Sequence, residues 1–437
     1  MKRRSWATIL IAALMMAAFA FPVFAAGGSE QASASGPGTL VYWSPFGGDS
    51  LKWDQWRVGE FEKANPGVKV NLVATPAGGV NTGKLLAAIA GGDAPDIALS
   101  DNASAAYSFA ANGTAIPWDM SKITLKIPEM LPGMKEVTQI DGKTYLLPQD
   151  SNVIMLYMNV KVFKDAGLDV TKPPKTLDEL DALAAKLDKY SATSIDRFGY
   201  IPWLDYGNDN PFYWGWMFGA KIFDTASKKL YLTEKPLVDV YRWMNKYAQK
   251  KGPTEMQAFT SGFGVLFSPD HPFMTGKVAM TVVGNWFTNA LRIYAPNLEY
   301  AVAKVPTPAG GRAGGTTFQS NVFLLPKGAK RPDLAYRFYN FVITTPISAN
   351  NFDIWRSIPT NNKQFDEVSW TMKNDPIYKI ERELANSPNS GHAALTKVAA
   401  QLGNDLNALR DDVIYNNKDP LPLLEGLQDK FEKQLAQ

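Results

Sequence analysis

Trp43, Asp101, Trp203, Phe212, Trp214 and Trp216 come first, because flat aromatic faces set beside isolated carboxylates can perform one kind of recognition. A polyhydroxylated ring presents apolar C–H patches on its faces and hydroxyls at its rim. Aromatic side chains cover the faces, while fixed donors and acceptors read the rim. A buried polar group left unpaired then rejects the wrong stereoisomer. The chain has twelve tryptophans, and only Trp6 precedes residue 27. Tryptophan is usually buried, so most of them must be structural. The question is which lie on turns that open outwards.

Trp43 follows the first predicted strand in "YWSPFGGDS", and Asp101 ends the third. Four candidates fall in "WLDYGNDNPFYWGWMFGA", 203–220: Trp203, Phe212, Trp214 and Trp216. This run has neither clean alternation nor helical spacing, so it reads as an irregular segment, either a core loop or an aromatic platform. Gly315, after Gly314 and before "TTFQSN", would let backbone approach a ligand closely. Trp355 and Arg356 precede "SIPT". An arginine fork suits vicinal hydroxyls or an acidic group, and suits a surface ion pair equally.

Other chemistries find less support. Cysteine is absent, which excludes disulfides, thiolate metal sites, a cysteine nucleophile and a lipidated N-terminal cysteine. The two histidines, His271 and His392, cannot form a three-histidine zinc site and read as surface or packing residues. No G-x-S-x-G elbow, P-loop or H-E-x-x-H helix occurs, and no cofactor is implied. The formal charge is +3, and Lys2, Arg3 and Arg4 account for it, so the rest of the chain is neutral. A neutral protein has no broad electrostatic reason to bind nucleic acid or anionic membrane.

The elements that must position these residues follow from periodicity. Residues 1–26 combine a basic start, an apolar run over 6–21 and small residues near a cut, as in a cleaved secretory signal peptide. Residues 27–38 are rich in Gly, Ser and Ala and read as a flexible leader. Strands are predicted at 39–43, around Val68, Val70 and Leu72, and within "APDIALSD", 94–101. A helix started by Asp49 or Ser50 and another around Leu85 and Ile89 separate them, which implies a parallel sheet with crossover helices. Ligands of such sheets sit beyond the C-terminal strand ends, where Trp43 and Asp101 lie. Thr176 and Glu179 have capping-box spacing. A buried strand is expected at 278–283, and Leu395, Val398, Ala399, Leu402, Leu406 and Leu409 form one helical stripe. The chain reads as α/β throughout.

Seven segments then recur in family order: "GEFEKANPGVKV", "KLLAAIAGGDAPDI", "GKTYLLPQD…LYMNVKVFKDAGLD", "PPKTLDELDALAAKL", "TGKVAMTVVGNW", "VPTPAGG" and "AYRFYNFVIT". Together they resemble the extracellular solute-binding proteins of ATP-binding cassette importers, in the carbohydrate-binding branch that includes maltose-binding protein. The resemblance implies a two-lobed periplasmic-binding-protein fold with the ligand cleft at the hinge. Crossovers would fall near Pro148, near Pro306 and at 345–350. One lobe would combine 39–148 with 307–345, the other 149–306 with 346–437. The resemblance further implies a soluble monomer in the periplasm that closes around a sugar and is recognised by a membrane permease. It places cleft-facing polar residues at Asp150 and Asn152, with an amide at 152 where the family has an acid. It matches Trp286, in "VVGNW", to a tryptophan that stacks on ligand.

Two alternatives stay open. Related binding proteins take charged solutes such as glycerol phosphate, which would call for several cleft cations, or polyamines, which would call for several carboxylates. An exported glycoside hydrolase would need two carboxylates about 5–10 Å apart across the bond. No local pattern marks such a pair.

Overall fold

The computed structural model describes residues 37–76, 83–204, 210–367, 374–392 and 394–436. The expected signal peptide, most of the leader and residues 205–209 of the aromatic run lie outside the described residues. Elements alternate from the start: β1 (Gly38–Ser44), α1 (Leu51–Ala64), β2 (Val68–Ala74), α2 (Gly83–Ala90), β3 (Ile97–Ser100) and α3 (Ala103–Phe109). β1 pairs in parallel with β2 from Gly38↔Val68 to Ser44↔Ala74, and with β3 at Tyr42↔Ile97. Parallel neighbours need crossovers, which α1 and α2 supply.

The middle of the chain adds β4 (Ala115–Ile116), β5 (Leu146–Asp150), β6 (Ile154–Asn159), α4 (Leu177–Leu187), α5 (Pro211–Phe218) and α6 (Lys235–Ala248). It continues with β7 (Met280–Gly284), α7 (Phe287–Tyr294), β8 (Tyr300–Ala303) and β9 (Asn321–Pro326). Last come α8 (Pro332–Val342), α9 (Thr345–Trp355), α10 (Pro376–Ala385), α11 (Ala399–Asn416) and α12 (Pro420–Leu435). The first sheet runs β2-β1-β3-β9-β4, with β5 also on β9; β9 is antiparallel to β3, β4 and β5. The second is β7-β6-β8, antiparallel throughout.

Hydrophobic alternation explains how β6 joins two cores. Met155 and Tyr157 face the cluster that holds Leu40, Tyr42, Phe61 and Phe338 of the first sheet and its helices. Ile154, Leu156 and Met158 face a cluster with Tyr200, Trp214, Trp243 and Met280. A third cluster joins Leu237 and Tyr241 of α6 to Leu402, Leu406 and Leu409 of α11 and Phe431 of α12.

Several expectations are corrected here. The aromatic run holds a helix, α5, capped by Asn210, whose Oδ1 accepts from Tyr213 N at 3.0 Å, and closed by Gly219 at φ 94°. Six of its eight residues are buried, so no polar face exists to give a helical period. Neither Asp49 nor Ser50 caps α1 with its side chain; Asp49 instead pairs with Lys52 at 2.6 Å. Leu395 lies before α11 and packs with Trp43 rather than with the α11 stripe. The capping box at Thr176 and Glu179 is present.

The first core contains a charge. The Arg57 side chain on α1 is fully buried and lies 2.5 Å from Asp54 Oδ1. It also donates to the Tyr42 hydroxyl and to Gln149 Oε1, and its Cζ sits 4.1 Å from the Trp53 ring centroid. Burial raises the Asp54 carboxyl above its ordinary range, and Arg57 opposes that rise. Removing one partner strands the other charge in the core. Arg57→Met should therefore cost about 3–5 kcal/mol in urea unfolding, and Arg57→Met with Asp54→Leu should recover much of the loss.

Candidate functional site

One cavity of about 680 Å³ opens where the C-terminal ends of β1 and β3, the segment after β5, and the ends of α9 and α11 converge. Its walls are built from aromatic rings and amides. Phe46, just past β1, stacks on Trp355 at the end of α9, with centroids 6.2 Å apart and planes 10° apart. Phe267 meets Trp355 edge-on at 6.0 Å. Trp286 follows β7 and lies flat against Gly284; a Cβ on residue 284 would stand 2.0 Å from the indole ring. Phe318 lies in the same way on Gly133, where a Cβ would come within 2.1 Å of the ring.

Polar groups fill the spaces between the rings. Asn152 donates from Nδ2 to the Gln319 carbonyl at 3.0 Å, and Gln319 N donates back to the Asn152 carbonyl at 3.1 Å. Among the described residues no partner reaches the buried Asn152 Oδ1, Thr317 Oγ1 or Asn407 Oδ1, all on lining residues. His392 also lines the cavity, with Nε2 2.9 Å from the Gly133 carbonyl. That contact places the proton on Nε2 and leaves Nδ1 as an acceptor. Burial lowers the His392 pKa to about 4, so the ring is neutral at physiological pH. Asp101 is the single formal charge among the described lining residues.

Of the twelve residues singled out in the sequence, the cavity brings together five: Asp101, Asn152, Phe212, Trp286 and Trp355. The other seven do not line it. Trp43 is buried at the end of β1, with Lys84 5.5 Å from its ring. Trp203 and Trp214 are core residues of the second cluster; Trp214 packs edge-on against Trp243 at 4.7 Å. Trp216 lies beneath the Arg312 guanidinium at 3.9 Å and donates to the Asn389 carbonyl at 2.9 Å. Gly315 packs on backbone: a Cβ there would meet the Asn389 carbonyl at 2.3 Å. The segment it opens does reach the cavity, through Thr317, Phe318, Gln319 and Asn321.

Arg356 turns away from the cavity and pairs with Asp375 at 2.6 Å and Glu381 at 3.5 Å. Burial pushes Glu381 up to about 7, against the pull of Arg356. Asp150 is fully buried behind Gln149, Asn321 and Asn351, each of which does line the cavity. Sequence reasoning missed those three amides together with Phe267, His392, Asn404 and Asn407. On α11, Gly403, Asn404 and Asn407 form a small and amide face beside the leucine stripe, but nothing local says what that face meets.

The bacterial extracellular solute-binding protein family model matches residues 49–347. The chain belongs to that family. The protein is thus a solute-binding protein. The solved structure of CpMnBP1 with mannotriose bound superposes with a TM-score of 0.83 at 27% identity, covering 90% of this chain and 99% of the other. The sn-glycerol-3-phosphate-binding periplasmic protein UgpB of Escherichia coli O1:K1 / APEC is 28% identical over 292 residues, 64% of either chain. The maltodextrin-binding protein MdxE of Bacillus subtilis (strain 168) is 25% identical over 247 residues, 54% of this chain and 55% of the relative.

Burial also lowers the His271 pKa, to about 3. With folded pKa values below the unfolded value of about 6.5, the unfolded chain takes up protons first as pH falls. The histidine contribution to stability is present above that value and lost towards pH 4 and 3. Proton NMR of the His392 imidazole should accordingly show no titration above about pH 5 and a midpoint near 4; a midpoint near 6.5 would contradict the buried, Gly133-bonded ring.

Proposed function

We propose that the protein captures a neutral oligosaccharide without altering it and presents it, after lobe closure, to the permease of an ATP-binding cassette importer. One observation carries the choice of ligand. The described lining combines stacked aromatic rings and carboxamides with a single carboxylate and no lysine or arginine. A glycerol phosphate ligand would call for cations around its phosphate. A polyamine would call for several carboxylates. Buried acceptors on Asn152 and Asn407, without partners among the described residues, call instead for a ligand rich in hydroxyl donors. The cavity volume suits a ligand of several rings. The mannotriose of CpMnBP1 and the maltodextrin of MdxE agree with that chemistry, whereas the glycerol phosphate of UgpB does not.

The same reading covers organisation and setting. The lobes combine 39–148 with 307–345 and 149–306 with 346–437, which puts β9 into the first sheet and β6, β7 and β8 into the second. Residues 1–26 direct export and are removed, and the mature protein works in the periplasm as a monomer. Among the described residues no helix is long and apolar enough to cross a membrane. Capture without conversion agrees with the family, whose matching model is that of solute-binding proteins.

Titrating the mature protein with mannotriose, maltotriose, sn-glycerol-3-phosphate and spermidine, followed by tryptophan fluorescence, tests this reading. A saturable change with one of the trisaccharides, recovered unmodified, is expected. Trp286→Ala and Trp355→Ala should each weaken that binding about tenfold or more. Binding of the phosphate or the polyamine alone would overturn the neutral ligand, and shortened sugar products would make the protein an enzyme.

A further inference from the structure

We infer that Asp150 is a positioning residue that turns Asn321 and Asn351 into hydrogen-bond acceptors facing the cavity, so that the site selects ligands by hydroxyls that donate. The identity of the donor rests on the neutral-sugar reading above; the orientation of the amides does not.

Asp150 ends β5 and is fully buried. It accepts three amide hydrogen bonds: from Gln149 Nε2 at 3.0 Å, from Asn321 Nδ2 at 2.7 Å and from Asn351 Nδ2 at 2.5 Å. The three donors come from β5, from the start of β9 and from α9. An ionised carboxylate can only accept, so each amide beside it must turn its NH₂ group inward. Flipping either asparagine would set oxygen against oxygen in a site without water's screening. Burial raises the Asp150 carboxyl, but the three donated bonds and the nearby Arg57 all oppose that rise and favour the charged form.

What remains on each asparagine is Oδ1. Among the described residues no protein donor reaches Asn321 Oδ1 or Asn351 Oδ1, and both residues line the cavity. Gln149 differs, because its Oε1 already accepts from Arg57. The two asparagine carbonyls join Asn152 Oδ1 and Asn407 Oδ1, which are buried and without partners among the described residues. Asn152 is fixed by the same logic, with its Nδ2 spent on the Gln319 carbonyl. An asparagine can ordinarily donate or accept by a flip. Here the carboxylate removes that freedom, and the wall becomes an array that requires donors.

A fluorine in place of a hydroxyl keeps the approximate size but cannot donate, so it separates this inference from simple packing. Wild type and Asp150→Asn would be titrated calorimetrically with mannotriose and maltotriose and with their monofluorinated derivatives. In wild type at least one fluorine substitution should weaken binding about tenfold or more, the cost of an unpaired buried carbonyl. In Asp150→Asn the parent sugar should bind less tightly and that discrimination should shrink to about twofold, because the amides regain their flip. Discrimination that persists undiminished in Asp150→Asn overturns the inference. Thermal melting establishes whether Asp150→Asn folds; if it does not, Asn321→Ser takes its place and should abolish the discrimination at one fluorinated position only, an unchanged pattern again overturning the inference. A measurement without ligand decides the lock separately. Side-chain amide protons of Asn321 and Asn351, observed by ¹⁵N NMR, should exchange slowly in wild type and at least about tenfold faster in Asp150→Asn. Fast exchange in wild type, or equal rates in both, overturns the lock. Protected amides together with silence towards every sugar would uphold the lock and sink the neutral-sugar reading.

Discussion

A guanidinium cannot shed its proton inside a protein, so burying Arg57 obliges the chain to surround it with partners. Those partners are Asp54 and Trp53 from its own helix, the Tyr42 hydroxyl from the central strand and Gln149 from the strand that leaves the first sheet. The requirement therefore pins α1 to the sheet and pins the end of β5 to α1. From Gln149 the bonds continue to Asp150 and then to Asn321 and Asn351 at the cavity wall. A constraint that begins deep in the core ends as the orientation of groups in the site.

Two arginines that neighbour lining segments are engaged elsewhere. Arg312 is held over Trp216 and donates to the carbonyls of Trp216 and Ala220. Arg356 is committed to Asp375 and Glu381. Both lie close in sequence to lining residues, at 317 and 355, yet their charge is spent on protein partners. The neutrality of the lining is thus a matter of arrangement as much as of composition.

Much of the framework was legible because burial on one face leaves a period. β2, α4 with its capping box and α11 announce themselves by alternation or helical spacing, and β1 and β3 by short apolar runs that end in polar turns. α5 did not, since burial on nearly every side erases the period. The site was harder. Tryptophan is equally a core residue and a ring platform, and Trp203 and Trp214 took the first role while Trp286 and Trp355 face the cavity. The resemblance to known solute-binding proteins pointed to the segment around 150 and to Trp286, and the lobe partition and sugar ligand drawn from it remain a proposal. His392, Asn404 and Asn407 reach the cavity only through packing between segments hundreds of residues apart, of which the bond from Ser108 Oγ to the Lys397 carbonyl is one tie. No local pattern encodes that meeting.

The indole of Trp286 resting on Gly284 has a consequence for how this site can change. While the large ring is present, any side chain at 284 collides with it at 2.0 Å. Once residue 286 is small, that collision is gone. A side chain at 284 must therefore come after the loss of the ring, and once there it would close the way back to tryptophan. A lineage that gave up this ring for another ligand would find the step hard to reverse.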